Sequence, residues 1–204
     1  GGRIDWAAHA NDAATTIKEV VDMDEAIRVA YEFYKKHPKE TLIVITADHD
    51  TGGVTVGQGR LNITSLQYQS QSQDILSKRI NALRESKNGE VVSWEEVKGL
   101  LTETMGFWKE IPLNWEQEKT LRDTYEDTLA KNRDAKDYNL YAENSLLAAK
   151  AKQVMNEVAR LGWGTTSHSA GYVPVYAIGA GQHLFMQKMD NTDIPEKIAK
   201  AARY

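Results

Sequence analysis

Residues 41–53 read TLIVITADHDTGG, a β-branched apolar run over Leu42–Ile45 that stops at two side chains able to bind a metal, Asp48 and His49. Threonines flank the run and Gly52-Gly53 follow it, a pattern that predicts a strand buried on both faces of an α/β sheet. In such sheets the ligand crevice lies at the carboxyl ends of the strands, where Asp48 and His49 stand. The rest of the chain supports this strand or brings further ligands to its end.

The chain has 204 residues and is 41% hydrophobic, enough for a buried core in one domain, or in one domain with a sizeable insertion. A net charge of -4 and a pI near 5.8 give no basic footprint, so nucleic acid and anionic membranes are not expected partners. No apolar run reaches the roughly 18 residues of a membrane span. With no cysteine, disulfides and thiolate metal sites are excluded, which leaves histidines and carboxylates as ligands. The start at Gly1-Gly2 reads as the middle of a longer protein.

Residues 1–12, GGRIDWAAHAND, place Asp5 and His9 four positions apart. On a helix both project from one face, a spacing that suits two ligands of one ion; an exposed Asp and a hydrogen-bonded His on an ordinary helix is the plainer alternative. Residues 22–36 predict a packing helix, with Asp22 and Glu25 as a capping box, a stripe of Ile27, Ala30, Tyr31 and Tyr34, and Pro38 beyond its end. Residues 54–58 alternate as a shorter strand.

Between residues 59 and 165 the chain turns polar and takes on helical spacing: Ile75, Ile80 and Leu83 mark one helix, and residues 94–108, 115–129 and 146–161 mark three more. Trp94, Val97, Leu100 and Leu101 form a stripe that reads as core. This segment is expected to be a helical insertion, with residues 1–58 and 166–204 forming an α/β metal-binding half-domain. Then comes GWGTTSHSAGYVPVYAIGAG, where small polar residues surround His168 and residues 173–178 form a second β-rich run. A histidine there is either solvated or a ligand. His37 and His183 have no partner at ligand spacing and read as structural. Residues 191–203 predict a closing amphipathic helix with Pro195 in its first turn.

Two carboxylates and three histidines (Asp5, His9, Asp48, His49 and His168) fit two neighbouring zinc-type ions better than one, because a catalytic zinc takes about three protein ligands and keeps a position open. Paired metals are a common clamp for displacement at phosphorus.

These residues resemble the C-terminal half of an alkaline phosphatase of bacterial type. GGRIDWAAHAND looks like that family's G-x-x-I-D-x-x-x-H metal motif, TLIVITADHDTGG like its T-A-D-H-[DE]-T-G-G motif, TTSHSAGYVPVYAIGAG like its third metal loop and MDNTDIPEKIA like its closing helix. The motifs stand in family order from end to end; the 59–165 segment is weakly matched. The resemblance implies an α/β/α sandwich carrying that segment as an insertion. It implies that Asp5, His9 and His168 bind a first zinc, which activates the hydrolytic water and steadies the leaving oxygen. Asp48 and His49 would bind a second zinc, which activates a serine nucleophile. Trp6 holds a position that varies in the family, so tuning by a polar residue there is not expected.

The same resemblance implies hydrolysis of phosphate monoesters through a phosphoserine, magnesium in the full-length protein, a homodimer, and a periplasmic or secreted location. The nucleophilic serine, the phosphate-binding arginine, another carboxylate of the second zinc and the magnesium ligands belong to the family's N-terminal half. The chain alone is therefore expected to be inactive and to need that half as its partner. A phosphomutase or phosphodiesterase of the same superfamily would share the two-metal logic, and a zinc-binding or interaction module without catalysis is the other alternative.

Overall fold

The computed structural model describes residues 1–57, 59–133, 136–138 and 143–203. Residue 58, the expected end of the second strand, lies outside them. Helix α1 (Gly2–His9) turns through Asn11, at φ 51, into the long helix α2 (Ala13–Lys36). Asp12 caps α2, its side chain accepting from the Thr15 amide at 3.1 Å. The helix thus starts well before the expected Asp22, which lies inside it, while Glu25 pairs with Arg28 at 2.6 Å instead of capping. Asp12 wins because a buried cap satisfies α2's first free N–H groups.

Strand β1 (Leu42–Ile45) pairs in antiparallel register with β8 (Tyr176–Gly179), Leu42 opposite Gly179 and Ile45 opposite Tyr176. Gly179 sits at φ 105, and a Cβ there would lie 2.1 Å from the Thr41 carbonyl oxygen, so the close approach of these strands requires glycine. The expectation of a strand buried on both faces is corrected: all four β1 residues are half-buried, and β8 is its one hydrogen-bonded strand neighbour among the described residues. Further antiparallel pairs join β2 (Asp50–Thr51) to β7 (His168–Ser169), β3 (Val54–Val56) to β6 (Leu161–Trp163), and β4 (Lys136–Tyr138) to β5 (Glu143–Ser145).

The main core lies in the segment between β3 and β7. Its helices are α3 (Gln73–Ser86), α4 (Trp94–Met105), α5 (Trp115–Asp127) and α6 (Leu146–Ala159), of which the first three begin at local side-chain caps. Ser93 with Glu96, and Asn114 with Gln117, form reciprocal capping boxes. α4 stops at Met105, short of the expected 108, because Gly106 takes the left-handed conformation that ends it. Leu76, Leu101, Phe107, Leu121, Leu147 and Met155 are fully buried together, and the Trp94, Val97, Leu100, Leu101 stripe belongs to the same cluster. Ala13 and Ala14 of α2 join it, their small side chains letting that helix approach closely.

Outside this core, packing is thin. The closing helix α7 (Asp193–Ala202) has no buried residue, and Val20, Val21, Val29 and Phe33 of α2 are exposed. No described helix is long and apolar enough to cross a membrane.

Candidate metal centre

Helix α1 sets Asp5 and His9 one turn apart, and their side chains meet, His9 Nε2 lying 3.4 Å from Asp5 Oδ1. His9 is 1% exposed, and its Nδ1 lies 2.7 Å from the Thr166 carbonyl oxygen. A carbonyl only accepts, so Nδ1 carries a proton, and Nε2 is the nitrogen that faces Asp5. Metal-ligating histidines commonly donate their second nitrogen to a carbonyl in this way.

After β1 the chain turns through Asp48 and His49 into β2. There Thr51 Oγ1 donates to Asp5 Oδ1 at 2.6 Å and lies 3.1 Å from His49 Nδ1. With its only proton committed to Asp5, this hydroxyl accepts from His49, which fixes His49 as the Nδ1–H tautomer. His49 Nε2 faces Asp48 Oδ2 at 3.3 Å. The β2–β7 register sets Thr51 opposite His168. His168 thereby stacks on His49, ring centroids 3.5 Å apart, and lies 5.1 Å from His9. Gly52, at φ 80, passes so near the Trp163 ring that a Cβ would lie 2.6 Å from it. Its carbonyl accepts from the Gly164 amide at 3.0 Å. Only glycine fits both the conformation and the space.

Ligand atoms of Asp5, His49 and His168 all lie within 4.8 Å of one another. That trio crosses the two expected ligand sets, with the His168 ring beside those of both His9 and His49. Asp48 sits at the rim, its side chain 86% exposed. His37 packs against Phe33 at the end of α2, ring centroids 4.8 Å apart. The donors are imidazoles and carboxylates, a set suited to zinc and related borderline cations, and the second-nitrogen bonds of His9 and His49 orient both rings for such an ion.

Sequence reasoning passed over Thr51, the Thr166 carbonyl, Asp12 and the bond from Ser169 Oγ to Asp50 Oδ2. For Thr51 a signal existed: it is a hydroxyl two residues past His49 in a strand. The Thr166 carbonyl left none, because backbone groups carry no residue signature.

The sequence profile of the family described as Alkaline phosphatase matches residues 1–204. Alkaline phosphatase 3 of Bacillus subtilis (strain 168) is 30% identical over 207 residues, which cover 100% of this chain and 39% of that protein. Alkaline phosphatase 4 of the same organism is 32% identical over 197 residues, 95% of this chain and 36% of its own length. Among solved structures, a cold-active alkaline phosphatase from the psychrophile Shewanella sp. superposes with a TM-score of 0.71 at 24% identity, covering 97% of this chain and 42% of that one. The last shows a shared α/β fold. The chain thus spans about two fifths of the length of these relatives, and over all of that span it belongs to the alkaline phosphatase family.

Proposed function

We propose that this chain supplies the metal-ligating part of a two-zinc alkaline phosphatase that hydrolyses phosphate monoesters, with Asp5, His9 and His168 on one ion and Asp48 and His49 on the other. The observation that carries the reading is the convergence of Asp5, His49 and His168 within 4.8 Å from three separate stretches of sequence. Bound zinc would supply Lewis-acid activation of the attacking groups and charge neutralisation at the leaving oxygen. The chain's own residues prepare for it. His9 and His49 each commit Nδ1–H to an oxygen and set Nε2 beside a carboxylate oxygen, of Asp5 and of Asp48, and Thr51 holds the Asp5 carboxylate and the His49 ring in one fixed relation.

In this reading the serine nucleophile, the phosphate-binding arginine, a further carboxylate and the magnesium ligands come from an N-terminal half outside these 204 residues. Two observations support it: the chain spans 39% and 36% of its curated relatives, and Val20, Val21, Val29, Phe33 and Tyr176 stand exposed, apolar surface that such a half would cover. Residues 59–165 would then be an insertion into the metal-binding half-domain. The complete protein would be a homodimer in the periplasm or outside the cell.

The test measures zinc after dialysis and hydrolysis of 4-nitrophenyl phosphate. The expected result is zinc on the isolated chain, less of it in His168→Ala, no turnover by the chain alone, and zinc-dependent turnover once the N-terminal half is co-expressed. Zinc absent from the wild-type chain would overturn the metal assignment. Chelator-sensitive turnover by the chain alone, lost in Asp48→Ala, would put the nucleophile inside this chain.

A further inference from the structure

The turn directly after His9 is gripped from two sides by the helical segment, although nothing in its own sequence requires that. Asp12, 1% exposed, is hydrogen-bonded at both carboxylate oxygens. Oδ1 accepts from the Thr15 amide at 3.1 Å and from Gln69 Nε2 at 2.8 Å; Oδ2 accepts from Thr15 Oγ1 at 2.8 Å and from the Gln73 amide at 2.9 Å. Gln73 is the first residue of α3. One carboxylate therefore caps its own helix and also accepts the first amide of α3, beside that helix's own cap Ser72, where both sets of unsatisfied N–H groups favour a negative charge.

From the other side α6 reaches the same turn. Lys152 Nζ donates to the Ala10 carbonyl and Asn156 Nδ2 to the Asn11 carbonyl, each at 2.7 Å. These two donors stand one helical turn apart on α6, so a single rigid element holds consecutive carbonyls of the turn. Asn11 keeps its left-handed φ of 51 inside this grip, a conformation that persists where the surroundings over-determine it.

We propose that Asp12, Gln69, Lys152 and Asn156 are positioning residues. Through them the helical segment clamps the Ala10-Asn11-Asp12 turn and so holds His9 at the geometry its metal needs. This rests on the metal reading above and adds a role for the helical segment, which tunes metal affinity from outside the ligand set. The clamp reaches His9 through the backbone, because the turn's amides at Asn11 and Asp12 donate back to the Ala8 and Ala7 carbonyls, both at 2.9 Å. Fixing the turn therefore fixes the last turn of α1.

The test uses Lys152→Met with Asn156→Leu, apolar replacements of similar length that remove both donors, and Gln69→Ala as a second variant. Arg79→Ala with Glu103→Ala, which removes an exposed ion pair between α3 and α4, is the control. Amide hydrogen exchange on metal-free protein is expected to quicken at Asn11 and Asp12 in the clamp variants. Zinc affinity, read by chelator competition, is expected to fall about tenfold, the usual effect of removing an outer support from a metal ligand. Lys152→Arg keeps a donor and should restore affinity, and every variant is titrated well below its own metal-free Tm, because each clamp substitution leaves an oxygen without its donor. Quickened exchange with unchanged zinc affinity would overturn the proposal, as would an equal loss of affinity in the control. Wild-type protein that binds no zinc would defeat the metal reading and the positioning role with it, an outcome told apart because exchange is measured without metal.

Discussion

Thr51 Oγ1 donates to Asp5 Oδ1 at 2.6 Å while its own oxygen lies 3.1 Å from His49 Nδ1, so one hydroxyl joins a carboxylate of one expected metal set to an imidazole of the other. Thr51→Val keeps the shape and removes the hydroxyl, leaving Asp5 without this donor and the His49 tautomer unfixed. Zinc affinity should fall about tenfold with the fold intact, and Thr51→Ser should recover most of it. Isothermal titration of the metal-free protein checks this; an unchanged isotherm for Thr51→Val would deny the hydroxyl any part in orienting the ligands.

His9 and His37 make a matched pair for metal analysis, since one is buried against Asp5 and the other packs on Phe33. His9→Ala is expected to lose one equivalent of zinc after dialysis, and His37→Ala to lose none. His9→Ala also strips the Thr166 carbonyl of its donor, at a stability cost of about 1–3 kcal/mol. The measurement therefore belongs well below Tm. Equal zinc in both variants would remove His9 from the ligand set.

Gly52 joins the metal loop to the Trp163 ring. In Gly52→Ala the new Cβ would lie 2.6 Å from that ring on a backbone at φ 80, so stability should fall by about 1–3 kcal/mol. Because the β2–β7 register brings His49 and His168 together, zinc binding should weaken in the same variant. Urea unfolding of metal-free protein, compared with zinc titration, separates the two effects.

Acid should loosen α4 through Glu96. Hydrogen bonding to Lys87 first, and then to the Ser93 amide and hydroxyl, holds its carboxyl at about 2, down from an ordinary 4.5. A depressed carboxylate contributes stability that is present above its unfolded pKa and is lost as pH falls through the folded value. The contribution should therefore fade between pH about 4.5 and about 2. Glu96→Gln keeps a capping partner without the charge, so its Tm should vary less across that interval. Parallel Tm-against-pH curves for wild type and variant would show that Glu96 contributes nothing.

Much of the local architecture is legible in residue order because its causes are local. Ser93 with Glu96 and Asn114 with Gln117 announce helix starts through bonds three residues long, and the apolar run at Leu42–Ile45 announces a strand. The five candidate ligands, two aspartates and three histidines, and their motif order are equally visible in the sequence. What only the tertiary structure decided is which groups touch. The His9 tautomer depends on a carbonyl 157 positions away, and the His49–His168 stack depends on the β2–β7 register. Asp12, the cap of α2, also accepts from Gln69 and Gln73, 57 and 61 positions along the chain. The difference has one physical reason. Caps and periodicity act within a turn of helix or a few strand residues, whereas a buried hydrogen bond between distant segments forms only once the whole backbone has placed both ends.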